Sequence, residues 1–375
     1  MNTKKTLLVG HVSEIVGPGQ HLRDFLVAIP DTYIKVVFHP MLGTKLEETV
    51  VEQYSNMKKS KTVKNYKKKG ETVVRLFRNA LITIYEIATT CGKVDNYIGL
   101  DNFDTFPAIF FKGWKIKRVI YYGSDYADER FKNSIMNIVY RMVELVALRI
   151  SDLVISNTKR AEERRISLGL NKRKSLVIPN GVDLGLIPRL KKRIIFDFVY
   201  LGTLSETHGV IELLHVFSKI AKSFRRVKLA FLGTGSKEEK IRTFVKENNL
   251  ENRVYLLGRL EHDKALRFLV KNGGVGIASY NESEGWTKYA SPLKVKEYLA
   301  CGMPVIISSV PEISGDVRKY KLGYVYNSKR QLFEAMQKFS KNKNLIKTLS
   351  KNAKEYVEKF DWNLMYRENL LPFLK

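Results

Sequence analysis

Short apolar runs alternate along the chain with segments whose apolar residues recur every three or four positions. The apolar runs predict strands at residues 6–10, 34–39, 97–101, 118–122 and 153–156. Helix-period segments fall between them. One, residues 71–89, carries Val73, Phe77, Ala80, Leu81, Ile84, Ile87 and Ala88 at amphipathic spacing; that face is expected to pack on the core, with a membrane anchor, following the lysine run, as its alternative. At residues 178–194 Pro179, Asn180-Gly181 and Pro188 interrupt both periodicities, as a domain linker would. A second series comes next, with strands expected at 197–201, 228–232, 254–257, 275–279, 304–307 and 323–326 and helices between them and after 329. The pattern predicts two Rossmann-like doubly wound α/β domains facing across a cleft. They are expected at residues 1–183 and 184–360, with a final helix over 361–375 returning to the first.

Length agrees, because 375 residues exceed what one core usually holds. A hydrophobic content of 44% excludes intrinsic disorder. The longest stretch without a charged side chain, 298–311, has 14 residues and includes Gly302 and Pro304, too short to span a bilayer. The opening MNTKKTLLVG is expected to be a first strand and not a cleavable leader. Cys91 and Cys301 are the only cysteines, so neither a disulfide framework nor a thiolate zinc site is indicated, and a cytoplasmic location is expected.

Charge asks for an acidic partner. There are 65 Lys and Arg against 38 Asp and Glu, a net +27, and both halves are basic. The densest run, from Lys58 to Lys69, reads either as a solvated lysine-rich loop or as a contact with an anionic membrane surface, where each lysine contributes roughly 1 kcal/mol. Nucleic acid would feel the same field, but no RNA-binding aromatic motif, zinc finger or basic zipper is present, so no specific nucleic acid is expected.

Three glycine-containing turns follow strands: Gly17-Pro18-Gly19, Leu201-Gly202-Thr203 and Leu232-Gly233-Thr234-Gly235. None fits GxGxxG, and each alone is as readily explained by strand-to-helix geometry. The segment from Ser291 to Ile306 says more. Ser291 suits an N-cap and Pro292 a first helical position, which would turn the amides of Leu293 and Lys294 outward with the positive end of the helix dipole. Lys294 adds a charge there. Glu297 lies three residues on, on the same face, where it can accept hydrogen bonds from sugar hydroxyls beside a phosphate.

Ser291-Pro292-Leu293-Lys294, followed by Glu297-Tyr298-Leu299-Ala300-Cys301-Gly302-Met303-Pro304, resembles the donor-binding signature of the family 4 (group 1) retaining glycosyltransferases of the GT-B fold. IPNGVD at 178–183, YLGTLSETHG at 200–209, FLGTGS at 231–236 and the strand from Arg253 to Arg259 resemble other segments of that family. Asp125 in YYGSDY, and Glu144 followed by SDLVISNT, resemble a subgroup of it.

The resemblance implies transfer of a sugar from a nucleotide-sugar donor, such as a UDP- or GDP-sugar, to a hydroxyl of a glycan or lipid-linked acceptor, with retention and without a bound metal or other cofactor. It gives Glu297 to the donor ribose, and Lys294 with the amides of the Pro292 turn to the diphosphate. Gly17 and Gly19 would line the cleft between donor and acceptor, Gly202, Thr203, Gly233 and Arg259 would belong to the donor-binding set, and the loop after Arg259 would border the base. Departures are visible as well. The family's glutamate eight positions before Glu297 is Tyr289 here, leaving Glu282 or Glu284 to substitute, and its arginine and lysine near the first donor-domain turn are Thr203 and His208. A protonated His208, Lys294 and Arg259 would then neutralise the leaving group. Neither DNFD at 101–104 nor DYAD at 125–128 has the spacing of a metal-binding pair. Asp125 is the acceptor-side candidate, and a plain surface aspartate is its alternative. Two other readings stay open: a degenerate GT-B scaffold that binds without catalysis, and a glycosyltransferase acting on nucleic acid.

Overall fold

Residue contacts divide the chain into two units, Met1–Pro179 with Met365–Lys375, and Asn180–Leu364. The computed structural model describes residues 3–14, 16–41, 44, 46–66, 72–282 and 285–375.

The first unit is built on an eight-stranded sheet: β1 (Lys4–Val12), β2 (Thr32–Pro40), β3 (Thr49–Ser55), β4 (Lys58–Tyr66), β5 (Val94–Gly99), β6 (Ile116–Gly123), β7 (Leu153–Ser156) and β8 (Ser175–Val177). Their order across the sheet is β4-β3-β2-β1-β5-β6-β7-β8. All neighbours are parallel except β2 with β3 and β3 with β4. Buried Leu7, Val9, Val37, Tyr97 and Val119 form the core beneath the crossover helices α1 (Pro18–Val27), α2 (Thr72–Thr89), α3 (Ser134–Ile150) and α4 (Lys159–Ser167). The last residues complete this unit. Tyr366 stacks on Phe25 at 5.3 Å between ring centroids, and Arg118 and Asn96 donate to the Leu374 carbonyl.

Residues 58–66 are a strand, which corrects the reading of the lysine run as a loop. Asn56 and Met57 both have positive φ, 47° and 66°, so a tight hairpin turn forms without the glycine that usually announces it. A lysine-rich edge strand also resists pairing with another chain. Lys67, Lys68 and Lys69 lie outside the described residues.

The second unit holds β9 (Phe196–Leu201), β10 (Leu229–Leu232), β11 (Val254–Leu256), β12 (Gly273–Ala278), β13 (Val305–Ser308) and β14 (Gly323–Tyr326), ordered β11-β10-β9-β12-β13-β14 and all parallel. That order is the doubly wound arrangement, with its switch point between β9 and β12. Helices α5 (Val210–Ser223), α6 (Glu238–Glu247), α7 (His262–Asn272), α8 (Leu293–Ala300), α9 (Ser314–Lys319), α10 (Lys329–Lys341) and α11 (Lys343–Val357) cover the sheet. Phe198, Phe217, Phe231, Ile277 and Met336 are completely buried in its core, each contributing about 1.5–3 kcal/mol by leaving water.

The unit begins at Asn180 and not at 184. The Asn180 amide N–H donates to Ser291 Oγ (3.1 Å) and its Nδ2 to the Ser291 carbonyl (2.8 Å), while Val182 and Asp361 form a bridge, so residues 180–183 belong with the second unit. The return to the first unit accordingly starts at Met365 and not at 361.

Candidate functional site

In the second unit three strands end in glycine turns that touch. Gly202 and Gly233 have φ of +133° and +140°, where side chains are disfavoured. A Cβ on Gly233 would stand 2.0 Å from the Gly202 carbonyl oxygen. The Gly202 amide donates to the Leu232 carbonyl (2.9 Å) and the Gly233 amide to the Gly258 carbonyl (2.7 Å). Backbone therefore forms the floor beyond β9, β10 and β11.

Helix α8 is aimed at this floor. The Tyr298 hydroxyl accepts the Leu201 amide at 2.6 Å and donates to the Ile277 carbonyl at 3.3 Å, and its ring lies where a Cβ on Gly276 would be, 2.3 Å away. Pro292, with ψ of 115°, is the N-cap, so the helix begins at Leu293, one residue later than the Ser291 capping reading. Ser291 is engaged elsewhere. Its Oγ takes a bond from Lys296 Nζ (3.0 Å) as well as the Asn180 amide, and so cannot cap. The amides that open α8 keep no intrahelical acceptor.

Lys294 enters the same corner. Its Nζ is buried and has no hydrogen-bond partner among the described residues. It lies 4.7 Å over the Tyr200 ring and 5.3 Å over the Tyr280 ring, and 2.8 Å from where a Cβ on Gly202 would be. Burial pulls the ammonium down to about 7, against a smaller upward pull from Glu297. The Glu297 carboxylate meets the imidazole Nε2 of His262, at the start of α7, at 2.7 Å, and that bond raises the imidazole above its ordinary value.

His208 is close by, and its surroundings disfavour its charged form. Its Nδ1 bonds Ser205 Oγ at 2.8 Å, and its ring meets those of Tyr280 (5.6 Å) and Trp286 (6.4 Å). Burial, then the nearby Lys294, pull it down to about 3, which runs against the expectation of a protonated His208. Thr203 is exposed, and its carbonyl accepts the Tyr200 hydroxyl (2.8 Å). Arg259 is exposed after the Gly258 turn. Tyr289 is buried on the 3-10 turn Thr287–Tyr289. Glu284 lies outside the described residues. His262 and the aromatic box around Lys294 are not legible in the sequence; His262 stands 35 residues from its partner and no spacing rule joins them.

In the first unit, Gly17 is the N-cap of α1, with its amide donating to Gln20 Oε1 (3.0 Å). Gly19 has a packing reason to be glycine, since a Cβ there would meet Leu100 at 2.6 Å. Asp125, beyond β6, pairs with Arg130 Nη1 at 2.8 Å. A constellation that sequence does not reveal joins the end of β1 to the residues after β5. His11 Nδ1 is 2.9 Å from Asp104 and 3.7 Å from Asp101, and Asn79 bonds its Nε2 at 3.0 Å. Burial opposes the imidazolium, yet Asp104 and Asp101 raise it to about 9; burial and Asp104 lift Asp101 to about 6. One ligand atom from each of the three lies within 4.8 Å of the others, so the two DNFD carboxylates do converge, around a histidine from another strand.

Residues 190–356 match the family described as glycosyl transferases group 1. Among curated proteins, the glycosyltransferase MJ1178 of Methanocaldococcus jannaschii is 29% identical over 194 residues, 51% of either chain. MJ1069 of the same organism is 22% identical over 273 residues, 68% of this chain and 67% of that one. The chain spans about half the length of the first curated relatives it matches. Among solved structures, sucrose-phosphate synthase of Thermosynechococcus elongatus superposes with a TM-score of 0.74 at 16% identity, covering 99% of this chain and 98% of that one. Anabaena HepE in complex with UDP-glucose gives 0.71 at 14% identity, with 98% and 99% covered. The chain thus has the GT-B fold, and over residues 190–356 it is similar to the group 1 glycosyl transferases.

Proposed function

We propose that this chain is a retaining hexosyltransferase that draws on a nucleoside-diphosphate sugar and delivers the sugar to a hydroxyl of a glycan or lipid-linked acceptor. One observation carries the reading: the buried, partnerless Nζ of Lys294 at the opening of α8, beside two glycine turns. A buried ammonium without a counter-ion is costly, and an anion is what the corner lacks. A diphosphate would meet that charge, the free amides of α8 and a floor with no side chains to obstruct it. Glu297, three residues along, would take the ribose diol. HepE, of the same fold, holds UDP-glucose in its solved structure.

The chemistry follows from where charge develops. The bond between the anomeric carbon and the diphosphate oxygen breaks, and its electron pair stays on the diphosphate. The acceptor oxygen bonds to the same face of the anomeric carbon, and its proton passes to the departing phosphate oxygen. Lys294 and the α8 amides stabilise the negative charge as it grows, which lowers the barrier without a metal ion. Asp125, beyond the carboxyl end of β6, remains the candidate to orient the acceptor hydroxyl.

A panel of UDP-, GDP- and ADP-sugars, assayed for release of nucleoside diphosphate, tests the reading. Wild type is expected to turn over at least one donor, and Lys294→Ala to lose about two to three powers of ten in rate; proton NMR of the product gives the anomeric outcome. A second reading, a scaffold that binds without turnover, is favoured by Thr203, His208 and Tyr289, which replace the family's arginine, lysine and glutamate. It predicts donor binding with no release in any arm.

A further inference from the structure

Helix α2 packs only part of its expected apolar face on the core. Its polar side chains face the sheet: Arg75 donates to the Pro40 carbonyl (3.0 Å), Thr83 bonds His39 (2.9 Å), and Glu86 pairs with Lys35 (2.6 Å). Val74, Phe77, Leu81 and Tyr85, at positions i, i+3, i+7 and i+11, point outward, Phe77 with 67% of its surface exposed. Of the face expected in the core, Ile87 is buried and Ile84 packs against that core, but Phe77 and Leu81 are on the surface. Helix α3 repeats the arrangement. It buries Asn137, Tyr140 and Glu144, and exposes Ile135, Ile138, Val139, Met142 and Leu145. The 3-10 turn Phe106–Phe110 packs against both helices, and Ile109, Phe110 and Trp114 stand out from this region, Trp114 at 62% exposed.

Twelve large apolar side chains on three neighbouring elements are far more than a soluble surface scatters singly. Charge indicates what covers them. The acid of α2, Glu86, is buried against Lys35, and that of α3, Glu144, against Arg165. Neither helix therefore presents a carboxylate outward, and residues 105–118 contain none. Exposed Lys132 and Arg149 flank α3, and Lys58 and Lys59 stand on β4, the edge strand before α2. No helix among the described residues is long and apolar enough to cross a membrane. Apolar stripes that carry Trp and Tyr and no carboxylate, with cations beside them, match the interface of an anionic leaflet.

We propose that the outward faces of α2, the 106–114 turn and α3 insert together into the surface of an anionic membrane, with the lysines acting as an electrostatic rim. The sequence suggests docking through the lysine run and the helix after it; the structure adds the 106–114 turn and α3 to that surface. This surface lies within the first unit and is independent of the donor reading.

The test is sedimentation of the full chain with vesicles of equimolar phosphatidylglycerol and phosphatidylcholine, and with phosphatidylcholine alone, in the absence of nucleotide. Wild type is expected to bind the anionic vesicles, with Trp114 emission quenched by brominated acyl chains. Phe77→Glu/Trp114→Glu/Met142→Glu should lower vesicle affinity at least tenfold, while its melting temperature stays within a few degrees of wild type. Lys58→Ala/Lys59→Ala should lower affinity less and flatten its salt dependence. Wild type remaining in solution with anionic vesicles would overturn the proposal, as would the triple variant binding like wild type. A lipid-indifferent wild type that is dimeric, with a monomeric triple variant, would assign the face to a second copy and overturn it equally.

Discussion

The Oε1 of Glu297 lies 2.7 Å from the Nε2 of His262, so the carboxylate given to the donor ribose is already hydrogen-bonded in the free protein. One bond orients the carboxylate without consuming it, because an ionised carboxyl has about four acceptor sites. His262 thus acts as a positioning residue for Glu297.

If Glu297 accepts from a ribose diol, its loss should be felt only by ligands that have one. Glu297→Gln is expected to weaken UDP binding about tenfold and to leave 2′,3′-dideoxy-UDP unchanged, as read by titration calorimetry. Equal losses for both ligands would remove the carboxylate from the ribose.

Lys294 opposes folding in the free protein. Its folded-state value, about 7, is below that of the unfolded chain, so the penalty is greatest below pH 7 and fades as pH rises toward 10.5. Lys294→Met should therefore melt above wild type at pH 6, with a smaller gain at pH 9. A lower melting temperature at pH 6 would contradict an uncompensated charge.

Gly233→Ala forces a Cβ to within 2.0 Å of the Gly202 carbonyl at a φ of +140°. Destabilisation of at least about 1–3 kcal/mol is expected in denaturant unfolding, together with loss of nucleotide binding. Gly113→Ala, also at positive φ but with open space around it, should cost less and leave binding intact.

The proposed function has Lys294 and the helix amides meet the charge on the leaving group. Donor turnover should accordingly survive EDTA within about twofold. A loss restored by a divalent ion would move the charge stabilisation to a metal, and the convergence of His11, Asp101 and Asp104 would be the first place to look.

Much of this fold can be read from the chain because its strands are short apolar runs between amphipathic helices: β7 at 153–156 and β14 at 323–326 are where the pattern places them. The β3–β4 hairpin is hidden, since Asn56-Met57 makes its turn with no glycine and lysines fill its edge strand. Helix α2 can be found but not oriented, because its partners for polar groups, His39 and Lys35, come from β2. Sequence spacing brings Lys294 and Glu297 to one helix start. It cannot supply Tyr200, Tyr280 and His262, which reach them from three other segments, nor the Asn180 contact that draws Ser291 away from capping.

A diphosphate held on Lys294 at the opening of α8 is what the proposed function requires. The most direct measurement is calorimetric titration of UDP, GDP and ADP into wild type and Lys294→Ala at pH 7. Binding of at least one of them by wild type, weakened about 10- to 100-fold in the variant, is predicted. Identical affinity in the two proteins, or no binding of any of the three to wild type, would contradict it.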